Sequence, residues 1–514
     1  MIEMKNDENN DADVHISVSS DLRILLKKYK KFLSKKDIRS LLKLGIENPE
    51  LNFEVVIITY LEKKYDLVED TFDTLESKEH NKQSYDNIIK ELGLSRKRFY
   101  FLLNYISRFV IKNKLDNIIK IGRIKNLPHK RIDKIRLKGL LKHKDMERRV
   151  LLNPGPVLTT YGVKNALIQH DLCHRDSDFE KLMERLDKNS LKVFDGDNNF
   201  KTLFISGSGT AGLEAAMSSC VPENKTILIL SNGAFGERLY DIAQLHGMEI
   251  VLVKKEWGEI FDTKEVERKL ASNRKISVVA MNHNETSTGI LNPVHEVGKM
   301  CRRYNKLFIV DAISSLGAEK ISVRNDNIDI CITSSNKCLH GFSGVTLLCI
   351  NNRVWGRIND IKPRSYYLDL KKYYRYSKEL NQTPYTPSVA NFYALDKALQ
   401  ELLEEGLEIR RLKYRELNSL LKLELSKLGF EFFTNHDCQS HSILTVKVPE
   451  DIEFKGFYDI LKQMGFVIYS CKPPLSGKYF QVANMGALSK GMIYDFIFAV
   501  KSTLKKLRLK QGKI

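Results

Sequence analysis

The sequence predicts an α/β protein: a large domain built on a mostly parallel β-sheet, a small C-terminal α/β domain, and an all-α accessory region ahead of both. Three observations carry this. First, seven short apolar runs alternate with helical stretches after about residue 148. Runs of that kind separated by helices indicate a sheet covered on both faces. Second, residues 1–150 show apolar residues only at helical intervals, with no alternation of period two. Third, 514 residues exceed the ~250–300 at which single cores usually divide, so several domains are expected.

In chain order, residues 1–20 are polar and predicted to be a disordered tail. Helical patterns follow at 21–33, 37–44, 52–64 and 84–112. They define a basic accessory domain over 21–147. The next domain, 148–388, contains the runs TLFISG, TILILSNG, EIVLVKK, SVVAMNHNET, LFIVDAISS, IDICITSS and VTLLCINN. Most end in small polar clusters, where ligands of parallel sheets bind. Over 389–508, long helices (SVANFYALDKALQELLEEG, IRRLKYRELNSLLKLELSKLG) combine with short strands (HSILTVKVP, GFVIYS, YFQVAN). Residues 509–514 form a basic tail.

Composition excludes several classes. Apolar residues make up 42% and charged residues 29%, which is incompatible with a wholly disordered chain. No apolar run of about 20 residues occurs, so no membrane span is expected. The N-terminal MIEMKNDENNDADV has no apolar signal core, and the eight cysteines include no C-x-x-C pair. A cytoplasmic protein without a disulfide framework or metal cluster is expected. The formal net charge is +19. Residues 91–150 hold 18 basic and 5 acidic residues. That segment reads as a charged helical surface, a docking face for a protein partner, or a nucleic-acid contact. Asn87–Val110 has the outline of a helix-turn-helix, which any helical hairpin shares.

Four clusters carry chemistry. Ser206-Gly207-Ser208-Gly209-Thr210 follows a strand and opens a helix, where unpaired N–H groups favour a phosphate. Asp311 ends KLFIVD, and a carboxylate there needs a partner or caps the next segment. Lys337, in ICITSSNKCLHG, sits at a strand end where desolvation makes an amine nucleophilic. His283–Gly289 (HNETSTG) adds hydroxyls and a Gly turn. Glu285 precedes Asp311 by 26 residues, and Asp311 precedes Lys337 by 26. Pyridoxal phosphate needs this set: a phosphate cradle, an amine for its aldehyde and a carboxylate for its ring nitrogen.

Residues 150–508 resemble the class V, fold-type I aminotransferases, and within them the 2-aminoethylphosphonate–pyruvate transaminases. The resemblance rests on LLNPGPVLTTYGVKNAL, SGSGTAGLEA, ILSNGAFGER, HNETSTGILNPVHEVG, FIVDAISSLG, SSNKCLHG, RSYYLDL and TPYTPSV, in that order. It implies pyridoxal phosphate held covalently by Lys337, with Asp311 on the ring nitrogen. Ser208, Gly209 and Thr210 would bind the phosphate, Phe235 would stack on the ring, and Thr286 would bond the ring oxygen. Thr383 and Thr386 match a segment that reaches the phosphate from a second subunit, implying a homodimer with shared sites. Arg364 and Arg175 match segments near the substrate. The family's F-R-I-G-N-x-G arginine, which receives a substrate carboxylate, is replaced here by Gln481. Losing that charged contact costs roughly 1.5–3 kcal/mol, so the amino acceptor is left open. The activity implied interconverts 2-aminoethylphosphonate and phosphonoacetaldehyde with an oxo acid/amino acid pair such as pyruvate/alanine. The alternatives are another class V transaminase, of the alanine/serine–glyoxylate or pyruvate type, and a DNA-binding regulator with a cofactor-type sensor domain.

Overall fold

The computed structural model describes residues 149–434 and 438–510. The expected tail and helical accessory domain, and nearly all of the basic segment 91–150, lie outside the described residues. Strand β1 (Val150–Leu151) leads to helices α1 (Tyr161–Asn165) and α2 (Ser177–Phe194). Then come β2 (Phe200–Ser206), α3 (Gly209–Cys220), β3 (Thr226–Ser231), α4 (Ala234–Leu245), β4 (Glu249–Lys254), α5 (Thr263–Ser272) and β5 (Ile276–Asn282). A two-stranded hairpin, β6 (Asn284–Glu285) and β7 (Ile290–Leu291), precedes α6 (Val294–Arg303), β8 (Leu307–Asp311), β9 (Ile330–Ser334) and β10 (Val345–Asn351).

Seven of these strands form one sheet in the order β2-β10-β9-β8-β5-β3-β4. Its strands are parallel except β10, which runs antiparallel to both neighbours. All seven predicted apolar runs are strands of this sheet. Side chains alternate between its faces with period two. Leu228, Leu230, Val279, Met281, Phe308 and Val310 enter one core. Ile227, Ile229, Val278, Ala280, Leu307 and Ile309 enter a second core on the other face. Helices therefore cover both sides, and β8 and β9 are buried along their whole length. Because β2, β3, β5, β8 and β9 point the same way, their carboxyl ends share one edge.

The chain continues through α7 (Trp355–Ile358), α8 (Leu370–Leu380), α9 (Val389–Glu405) and α10 (Leu407–Lys427). Phe392, Leu395, Leu399 and Leu402 of α9 pack into the first core, against Phe179 and Phe204 among others. A third core gathers α10, β11 (Ile443–Lys447), α11 (Phe454–Gln463), β12 (Phe466–Val467), β14 (Tyr479–Ala483) and α12 (Lys490–Lys510), while β13 (Tyr469–Ser470) is exposed. Leu152, next to β1, is buried in that third core. The predicted strand GFVIYS is two strands in different sheets. β12 pairs with β1, whereas β13 pairs with β14. The chain changes sheet at buried Ile468, which fills the core between them. This sheet switch brings the segment after β13 alongside β14.

Candidate active site

The edge formed by the carboxyl ends of the parallel strands holds four of the predicted clusters. After β2, Ser208 caps α3 with extended backbone, and its side chain makes no capping hydrogen bond. Its hydroxyl is therefore exposed and uncommitted at a helix start, where N–H groups and the helix dipole favour an anion. Gly209 is buried, and a Cβ there would lie 2.4 Å from Ile313 Cδ1. A side chain there would require Ile313, in the segment that follows β8, to move.

Asp311 ends β8 and is 5% exposed. Its Oδ1 accepts the Ile313 N–H at 2.9 Å, and its Oδ2 accepts Arg238 Nη2 at 2.5 Å. The charged pair offsets the cost of burying the carboxylate. Arg238 Nη1 also donates to Thr210 Oγ1 at 3.3 Å, and its guanidinium lies 4.9 Å from the Phe235 ring centroid. The guanidinium thus ties the α3 start, Phe235 and Asp311 into one cluster. Its Nε is buried with no partner. Arg238 lies within the NGAFGER stretch, where the sequence marks no role for it. Its spacing was the available signal: i+3 from Phe235 puts both on one helix face.

Lys337 follows β9 and donates from Nζ to the Pro154 carbonyl. Burial, opposed by Cys338 and Asp311 and helped by Arg238 and Lys472, lowers its pKa to about 8. Gly155 has φ +128°, and a Cβ there would fall 2.7 Å from Lys337 Nζ. The neighbouring Cys338 is buried, and burial raises its thiol pKa to about 12. The reactive group at this corner is the amine and not the thiol.

The HNETSTG segment turns between β6 and β7. Glu285 is fully buried and accepts Gly236 N–H at 3.0 Å, Phe235 N–H at 3.2 Å, Ser287 N–H at 3.1 Å and Asn282 Nδ2 at 2.7 Å. Burial nevertheless raises its pKa. A carboxylate at the first turn of α4 suits the helix dipole and fixes the backbone that carries Phe235. Thr286 Oγ1 lies 2.6 Å from Ser314 Oγ, and its carbonyl accepts Gln481 Nε2 at 2.5 Å.

Lys337, Asp311, Thr210 and Phe235 share this corner, with Ser208 and Gly209 on the same turn. Gln481 joins Thr286. The two expected substrate arginines are held by backbone carbonyls. Arg364 donates to the carbonyls of Ser218 at 3.1 Å and Val221 at 2.6 Å. That is the far end of α3, a 12-residue helix about 18 Å long at 1.5 Å per residue. Arg175 donates to the carbonyls of Thr383 at 2.6 Å and Pro384 at 3.0 Å, and to Gln382 Oε1 at 2.9 Å. Thr383 is buried and bonds the Tyr385 carbonyl at 2.8 Å, whereas Thr386 is exposed.

An uncommitted hydroxyl at an anion-ready helix start, a carboxylate and an amine of lowered pKa at one sheet edge fit an aldehyde cofactor bearing a phosphate. The class-V aminotransferase family profile matches residues 157–476, more than half of the sequence, and the chain belongs to that family. It is a fold-type I aminotransferase, and its cofactor is pyridoxal phosphate. An uncharacterized aminotransferase of Methanocaldococcus jannaschii is 35% identical over 366 residues, covering 71% of this chain and 94% of its own. A 2-aminoethylphosphonate–pyruvate transaminase of Lysinibacillus sphaericus is 33% identical, covering 66% and 93%. Among solved structures, the ureidoglycine–glyoxylate aminotransferase of Bacillus subtilis has a TM-score of 0.66 at 29% identity, covering 72% and 95%. The alanine–glyoxylate aminotransferase of a Nostoc species has a TM-score of 0.67 at 27% identity, covering 71% and 97%.

Proposed function

We propose that this aminotransferase interconverts 2-aminoethylphosphonate and phosphonoacetaldehyde, with an oxo acid/amino acid pair as the second couple. The observation that carries this is the match, over 66–70% of this chain and 93–97% of theirs, to relatives named for that reaction in Lysinibacillus sphaericus and, at 32% identity, Pseudomonas aeruginosa. The bound cofactor supplies an aldehyde to receive the amino group and a ring that withdraws electrons. Lys337 holds that aldehyde, and its lowered pKa lets Nζ take and return a proton near neutrality. Asp311, steadied by Arg238, would meet the ring nitrogen. Ser208, Gly209 and Thr210 would hold the phosphate, Phe235 would stack on the ring, and Thr286 would bond the ring oxygen. Thr383 and Thr386 serve the site of a second subunit in a homodimer.

Mixing the holoenzyme with 2-aminoethylphosphonate tests the substrate. Loss of the cofactor's visible absorbance with release of phosphonoacetaldehyde supports the reading. No change with this amine, but loss of absorbance with alanine or serine, transfers the activity to a glyoxylate-type transaminase. That second reading is favoured by the two glyoxylate aminotransferase structures. We place the enzyme in the cytoplasm. No described helix is long and apolar enough to cross a membrane. Residues 21–147 serve docking and take no part in the chemistry. Deleting residues 1–147 should leave cofactor binding intact, and salt-dependent DNA binding by the full chain would instead favour a regulator.

A further inference from the structure

Both substrates of the proposed reaction carry an anion, and an anion entering a site needs an unspent cation. The cations at or near this one are almost all committed. Lys337 is reserved for the aldehyde, and Arg238 is bonded to Asp311 and Thr210. Arg175 is spent on Gln382 and two backbone carbonyls. Arg364 is spent on carbonyls at the far end of α3. Gln481 is neutral, 3% exposed, and its amide nitrogen bonds the Thr286 carbonyl and Thr445 Oγ1.

Lys472 is different. β13 pairs with β14 so that Tyr469 faces Gln481, and the chain then runs through Ser470 and Cys471 to Lys472. Cys471 is buried, and Pro473 and Pro474 follow, which restricts the backbone on both sides of the lysine. The side chain is exposed, yet its Nζ lies 4.9 Å from the Phe235 ring centroid. It forms no ion pair among the described residues. Its charge acts on Lys337, which places the two amines in one electrostatic space.

We infer that Lys472 is the cation that meets the anionic group, carboxylate or phosphonate, of the incoming substrate. The inference rests on the transaminase reading and deepens it. An ammonium is a point charge with three rotatable donors, so it receives a planar carboxylate or a tetrahedral phosphonate without the fixed fork of an arginine. An exposed single charge is also screened by salt.

The test uses the holoenzyme and two unreactive anions, propionate and methylphosphonate, titrated against the cofactor's visible spectrum. Lys472→Met should weaken at least one of them about 10-fold or more, the scale of a lost charge-assisted contact. Lys472→Arg should keep binding within about 3-fold, since the charge is retained. Wild-type affinity should fall with ionic strength, and that dependence should flatten in Lys472→Met. Pyridoxal phosphate affinity, measured by equilibrium dialysis above pH 9 where Lys337 is largely neutral, should change by less than about 3-fold. The two anions report which group the lysine reads. Equal binding of both by wild type and Lys472→Met overturns the inference, as does a loss confined to cofactor affinity. If 2-aminoethylphosphonate fails to react while anion binding still needs Lys472, the substrate reading falls and this inference stands.

Discussion

Covalent capture of the cofactor by the apo-enzyme should follow the titration of a displaced amine. Only neutral Nζ attacks an aldehyde. Burial brings the Lys337 pKa from 10.5 to about 8. At pH 7.5 a pKa of about 8 leaves about 24% of the amine neutral, against about 0.1% for an ordinary lysine, a ratio of about 240. The sign is fixed by burial: the charged form is disfavoured, so the protonated fraction disappears at lower pH than usual. Stopped-flow mixing of apo-enzyme with pyridoxal phosphate between pH 6 and 10 reads the rate as the visible band appears. The rate should rise about tenfold per pH unit below 8 and level off above about 8.5. A rise continuing unbroken to pH 10 would refute the claim that burial has freed this amine. Lys472→Met and Arg238→Gln should each move the inflection upward, because each removes a cation that lowers the pKa.

Other substitutions probe the supporting residues. Asp311→Asn leaves Arg238 facing a neutral amide and should slow single-turnover amino transfer by about 10²–10³-fold, the scale of one lost electrostatic contact at a reacting centre. Gly155→Ala should prevent stable cofactor retention after dialysis, because its Cβ meets Lys337 Nζ and φ is +128°. Gly247→Ala, at φ +63° with open space around it, should keep the cofactor and cost only about 1 kcal/mol in thermal stability. Glu285→Gln removes the buried acceptor for the start of α4 and should cost about 1–3 kcal/mol in denaturant unfolding.

The large-domain sheet was legible because buried parallel strands leave continuous apolar runs, and the polar residues closing them marked the site's edge. Ser208, Asp311 and Lys337 were legible for the same reason: each follows such a run. Arg238 was not, because an arginine inside an amphipathic helix has the same appearance whether it faces solvent or Asp311. The backbone carbonyls that hold Arg364 and Arg175 were not legible either, because hydrogen bonds spanning 143 to 209 positions leave no local trace. GFVIYS read as one strand because a change of sheet at Ile468 does not disturb hydrophobicity. The reach of Lys472 to Phe235 depends on that change of sheet, so it emerged only from the fold.

Borohydride reduction of the holoenzyme, followed by peptide mapping, tests the covalent attachment on which the whole mechanism depends. A pyridoxyl group on the Lys337 peptide, lost in Lys337→Ala, is the result expected. The same group on another lysine, or on none, would contradict it.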